Sequence, residues 1–429
     1  MNEQPCAGYD PLENLSEPRP PFAASRPELL AAVAMFVTAY VYIQAVFCFR
    51  NDLIWAVAAA LIAGTELLHW KVKRSWESWV WLGCFVAVTV SASLGIGRVW
   101  APWQTILFVH IFAVWWILSR SGKLLEGKSG HLLPLDALNG FVLLPFGGFF
   151  LRIRTLWWGL RQPAGRVRDK GAAVKAGWLA LATVACLLLF VAATTLLMRA
   201  DAGFSALLEG LEPLFRFRLD VDFQFRLLFS LPVGAWLFGL TDGALRQPME
   251  RLERRRDGTE RFLVKIQKVP AGFWMGIVGV FSLLYLVFFV LQGSYLFGAF
   301  TRTLPEGFIV SEYARQGFFE LCKVMALNFA LLWLVTRMVS PETRSSRGFL
   351  GVCLALLAES LVFAVIALSK LGLYISCFGF TPLRLQSSWL AGLLLAGCLL
   401  WAWSLLTGRP AFRKWMVFGA VTLSLLTLV

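Results

Sequence analysis

Charge is scarce in this chain. Asp, Glu, Lys and Arg make up 15% of its 429 residues, whereas 58% are hydrophobic, and the mean hydropathy is +0.68. That balance excludes a soluble globular protein and leaves no room for a sizeable soluble domain. Histidine is scarcer still, with only His69, His110 and His131, too scattered for a metal motif. Cysteine is present at eight positions, but CxxC spacing is missing. Cys48, Cys84, Cys186, Cys322, Cys353 and Cys398 lie inside apolar runs and read as small buried hydrophobes. Cys6 and Cys377 are expected on opposite sides of a membrane, so neither a disulfide nor a thiolate metal site is implied, and no cofactor. A P-loop, a GxSxG elbow, a clustered acidic pair and a His/Asp constellation are also lacking, which puts a membrane-embedded enzyme last among the function classes. The short apolar core of a signal peptide is missing as well, because the first apolar run starts near Leu29 and is about 20 residues long.

What the chain does have is a succession of such runs, each long enough to cross a hydrocarbon layer of about 30 Å. They predict an all-α polytopic transmembrane helical bundle of about eleven spans with one interfacial or re-entrant segment. The spans fall near residues 29–49, 53–69, 77–96, 101–118, 176–198, 227–245, 273–300, 311–338, 349–368, 386–407 and 414–429. Residues 1–28, rich in proline, read as a disordered cytoplasmic tail, and 29–118 as two tight hairpins. Within 119–175 the segment 132–158 is apolar but broken by Pro134, Gly140, Pro145, Gly147 and Gly148, with basic flanks on both sides. Crossing would export one of those flanks, so it is expected to lie at the interface or to re-enter. Phe204, Leu207, Leu208 and Leu211 mark an amphipathic surface helix, and 176–429 forms the C-terminal transmembrane domain. Lys and Arg concentrate in alternate loops, which predicts a cytoplasmic N-terminus and an extracytoplasmic C-terminus. The net charge of +14 then reflects topology and anionic lipid headgroups, with membrane lipids as partners and no nucleic acid.

Ionisable residues inside these runs are the candidates for function. In the eighth span Glu312, Arg315 and Lys323 share a helical stripe, with Glu320 and Gln316 beside it. Glu320 and Lys323 either neutralise each other within the bundle or line a water-accessible cleft. Glu359, near the middle of the ninth span, is either a hydrogen-bonded neutral carboxyl or a proton-coupling group. Tyr374, Thr381 and Arg384 follow in the next loop, on the same outer face as Glu312, and Arg384 is a candidate partner for Glu312 or Glu320. Asn328 projects to the opposite side of its helix and reads as a contact between helices.

These stretches carry a resemblance. EYARQGFFEL at 312–321, with Tyr313 at its second position, followed by LYISCFGFTPLR at 373–384, resembles the signature pair of a bacterial multi-pass membrane family, domain-of-unknown-function family 4173, related to family 4153. The resemblance spans roughly residues 130–410 and departs from the family pattern at Phe378, where Tyr is usual, and at Lys370, where Arg is commoner. It implies membership but no reaction. Two functions are therefore expected from the residues: a transporter or permease of the bacterial inner membrane using the seam and Glu359, or a non-catalytic sensor or assembly module binding a ligand, lipid or protein partner at the outer face.

Overall fold

The computed structural model describes residues 22–97, 99–161, 221–267, 269–293, 296, 298, 300 and 310–429. The fifth predicted span, the amphipathic segment after it and most of the N-terminal tail lie outside the described residues. Helix α1 (Arg26–Phe47) starts inside the predicted tail because Pro27 is tolerated in a first turn and the Glu28 carboxylate accepts a hydrogen bond from the Ser25 N–H. After a 3-10 turn at Asn51–Leu53 come α2 (Ile54–Leu68), α3 (Trp76–Leu94) and α4 (Pro102–Ser121). Gly95 and Gly122, at φ of 60° and 68°, stop α3 and α4 in the left-handed conformation that only glycine adopts without strain.

Helix α5 (Leu133–Gly147) and α6 (Leu151–Arg161) form a pair bent by 41°. Such a pair is either a broken span or a re-entrant loop. Asp136 Oδ1 accepts from the Leu125 N–H at 2.8 Å just beyond α4, and Arg152 donates from Nε to Ala32 O at 2.9 Å in α1. The corner of the pair presses on α7 (Val221–Arg246) so closely that a Cβ at Gly148 would stand 2.8 Å from Gly239 Cα. Close backbone packing of small residues is how helices adhere where lipid removes the hydrophobic drive.

The amphipathic α8 (Met249–Ile266) is exposed along most of its length and buries Leu252. Then follow α9 (Ala271–Leu291), α10 (Val310–Met338), a short turn of helix at Pro341–Arg344, α11 (Arg347–Phe378), α12 (Pro382–Thr407) and α13 (Phe412–Leu426). Among the described residues all regular structure is helical, and nine helices, or ten counting the bent pair as one, are long and apolar enough to cross a membrane. Two buried clusters result. Trp81, Phe85, Trp116 and Phe238 centre the one made by α1–α4 and α7, while Met325, Phe349, Leu356 and Phe363 centre the one made by α9–α12. Helix α13 joins them, placing Met416, Val417 and Val421 against the first and Trp415 against the second.

Helices α10 and α11 contain 29 and 32 residues, about 43 and 48 Å at 1.5 Å per residue, against a hydrocarbon layer of about 30 Å. The end where α10 begins and α11 ends is here called the signature end. The opposite, basic end carries Arg74, Arg120, Lys123, Arg246, α8, Arg337, Arg344 and Arg413.

Candidate functional site

At the signature end, α10 sorts its motif by face. Tyr313, Ala314 and Phe318 are buried, and Glu312, Arg315, Phe319, Glu320 and Lys323 are exposed. Gln316 donates to Glu320 Oε1 at 3.0 Å, and no ion pair joins Glu320 to Lys323 among the described residues. The stripe expected from the spacing is real, but it faces away from the helices that pack on α10. The buried face instead receives Lys370 from α11, whose Nζ lies 3.8 Å from the Tyr313 ring centroid. Gly317 leaves the necessary room, since a Cβ there would meet Lys370 Nζ at 2.6 Å.

The second signature folds onto itself. Arg384, in the first turn of α12, donates through Nη1 to Phe378 O at 2.7 Å and to Gly379 O, and its guanidinium lies 4.3 Å from the Tyr374 ring centroid. Those carbonyls are the unsatisfied ones at the end of α11, so Arg384 closes that helix terminus. Its partners are backbone rather than Glu312 or Glu320. Thr381 occupies the N-cap position of α12, without a side-chain capping bond. Glu359 is buried and accepts from Ser282 Oγ at 2.6 Å. Beside it, at the next residue of α11, Ser360 Oγ accepts from Asn328 at 2.9 Å, and Asn328 accepts from the Tyr285 hydroxyl at 2.7 Å, the helix-to-helix contact that its position suggested.

The basic end is a network of paired charge. Arg120 bonds Glu66 at 3.1 Å and the His69 and Val72 carbonyls, so Glu66 serves a tertiary pair rather than its neighbour His69. Arg246 pairs with Asp242, four residues before it on the same helix, at 2.9 Å, and with Glu28 at 2.7 Å. Buried Glu77 accepts from Trp81 Nε1 and the Ser129 N–H, each at 3.0 Å, and pairs with Arg413 at 2.9 Å.

Arg337, at the end of α10, and Arg344, in the turn beyond it, are half-buried, and neither is ion-paired among the described residues. Arg344 Nε has no hydrogen-bond partner there either. Both line a cavity of about 600 Å³ between α10, the turn, α12 and the start of α13, with His131 added from the loop after α4. Burial, then Arg337 and Arg344, push the His131 imidazole down to about 4, which leaves it neutral near pH 7. Burial likewise lowers Arg344 from its ordinary value. The walls are Trp333, Trp401, Phe412 and Trp415, and the deepest lining residues are Phe329 and Gly397. Phe329 lies eight residues before Arg337, and Gly397 ten before Thr407, so the cavity reaches about 12–15 Å into the bundle from its basic mouth. The cavity thus combines a cationic mouth with an aromatic interior.

A family model described as Domain of unknown function (DUF4153) matches residues 82–429. The chain belongs to that family. No curated protein and no solved structure shows a match to it. The matched region starts within α3 and contains both signatures and the whole arginine-lined cavity, while α1 and α2 precede it. Sequence reasoning passed over Arg337, Arg344 and His131, because two basic residues beside a span read as topology and an isolated histidine carries no pattern. Trp333, Trp401 and Trp415 on three separate helices were the available hint, visible only once those helices are adjacent. Among the described residues no group of three or more His, Cys, Asp or Glu converges as a metal site would need.

Proposed function

We propose that the protein is a non-catalytic ligand-binding module of the membrane, and that its ligand is an anion held by Arg337 and Arg344. One observation carries this reading: Arg337 and Arg344, half-buried and with no ion pair among the described residues, both line the same cavity. Glu126 acts on Arg337 only at a distance, and half-buried guanidiniums without a directly paired carboxylate are costly to keep, so an anionic ligand would supply a close partner. By the positive-inside bias the basic end is cytoplasmic in a bacterial inner membrane, with the N-terminus on that side. The four-part division at residues 28, 118 and 175 and the affinity to family 4173 belong to the same reading. Glu312, Tyr313, Arg315, Glu320 and Lys323 with Tyr374, Thr381 and Arg384 then brace the far end, where the exposed seam remains open to a partner. A transport reading would rest on Glu359, whose Oε2 is buried without a hydrogen bond, but the arginine-lined cavity does not include it.

The test uses the full chain in a neutral detergent, with the fluorescence of the cavity tryptophans as readout and decyl phosphate as probe. Arg337→Gln and Arg344→Gln are each expected to weaken binding about tenfold, the value of one charge-assisted hydrogen bond. Equal affinity in the wild type and the double variant would sink the proposal.

A further inference from the structure

We infer that the anion held at this site is the phosphate of a lipid, with its chain running inward between α10 and α12 rather than out into water. The inference rests on the anion-binding reading above and adds the class of ligand. A phosphate group alone would occupy the mouth, and a cavity of about 600 Å³ is sized for a ligand of tens of atoms. Its polarity is graded along the membrane normal. Arg337, Arg344 and His131 stand at the level where α10 ends and the turn begins, and from there inward the lining passes through Trp333, Trp401 and Leu400 to Phe329. A free phosphate, nucleotide or sugar phosphate carries polar groups throughout and would leave them unpaired against these rings. A headgroup phosphate with one chain matches both halves.

The depth of the chain channel is set by Gly397. A Cβ at that position would stand 2.9 Å from the Phe329 ring and 3.0 Å from Trp415 Nε1, and Trp415 is fixed there by its bond to Leu393 O at 2.8 Å. The floor is therefore formed by two rings meeting over a glycine, and a side chain added at 397 would collide with them and push the Phe329 ring, the nearer of the two, toward the channel. Leu400, one turn nearer the mouth, offers a second place to shorten the channel without touching the floor.

The experiment titrates the full chain in neutral detergent with inorganic phosphate and with butyl, octyl and dodecyl phosphate, taking the Arg337→Gln/Arg344→Gln variant as the blank for micelle partition. Affinity should rise about threefold to fourfold per methylene at first and level off between octyl and dodecyl phosphate. In Gly397→Leu, and independently in Leu400→Trp, the levelling should come at a shorter chain while inorganic phosphate binds as in the wild type. If inorganic phosphate binds as tightly as dodecyl phosphate, or both channel variants keep the wild-type chain dependence, the lipid assignment is overturned and the anion site stands. If binding of every probe ignores the two arginines, the anion site itself is lost.

Discussion

Arg384 illustrates how one residue's chemistry is misread when only its charge is considered. A cation following a polar motif suggests a ligand or a carboxylate, yet this one spends its guanidinium on Phe378 O, Gly379 O and the face of Tyr374. Two consequences follow from that geometry. Arg384→Ala should cost about 1–2 kcal/mol, from charge-assisted bonds to carbonyls and one exposed cation–π contact, seen as a fall of a few degrees in the thermal midpoint of the purified protein. Decyl phosphate binding, which takes place at the other end, should stay as in the wild type, and its loss in this variant would contradict the assignment. Phe378 also makes sense here. Its ring lies tilted against Tyr374 with centroids 5.1 Å apart, and its carbonyl, which any residue supplies, is what Arg384 uses, so the clasp needs no side-chain hydroxyl at 378.

Among the elements, α13 does the most to hold the two clusters in one body. It has 15 residues, about 22 Å of helix, too short to cross the layer comfortably on its own. Its anchorage is polar at one end and close-packed at the other. Arg413 reaches buried Glu77 at the start of α3, and Ser91 near the far end of α3 donates to Thr427 O. Glu77 also receives Trp81 and the Ser129 N–H, so one carboxylate ties α3, the loop after α4 and α13. Glu77→Gln and Arg413→Gln should each destabilise by about 1–3 kcal/mol, and the double variant by clearly less than their sum, because the two act through one pair. A double-mutant cycle on thermal midpoints measures this, and strict additivity would show that α13 is held by something else.

For the whole molecule, the topology proposed above puts the signature end outside the hydrocarbon layer, since α10 and α11, of 29 and 32 residues, are longer than that layer is thick. Cys377 is exposed at that end, whereas Cys353 and Cys398 are buried within the second cluster. A membrane-impermeant maleimide applied to intact cells should therefore label Cys377 in a variant retaining only these three cysteines, and Cys377→Ser should abolish the label. Labelling only after the cells are opened would reverse the proposed orientation, and no labelling in either case would place that end inside the bilayer.

The all-α bundle and the positions of the long apolar helices were legible in the sequence. Apolar runs must be helical in lipid because every backbone N–H and C=O has to be satisfied within the segment, a constraint that acts locally. The Asp242–Arg246 pair was legible for the same reason, being four residues apart on one helix. The polar stripe of α10 was also visible, but not which way it faces, because periodicity sorts residues into faces without naming the neighbour each face meets. Only the tertiary structure decided that Glu66 pairs with Arg120, that Lys370 fills the room at Gly317, and that Arg337 and Arg344 meet His131 over a cavity walled by rings from three helices. Such contacts join residues dozens to hundreds of positions apart. Their value depends on whether a counter-charge is present at the contact, and nothing in the local pattern around an arginine records that.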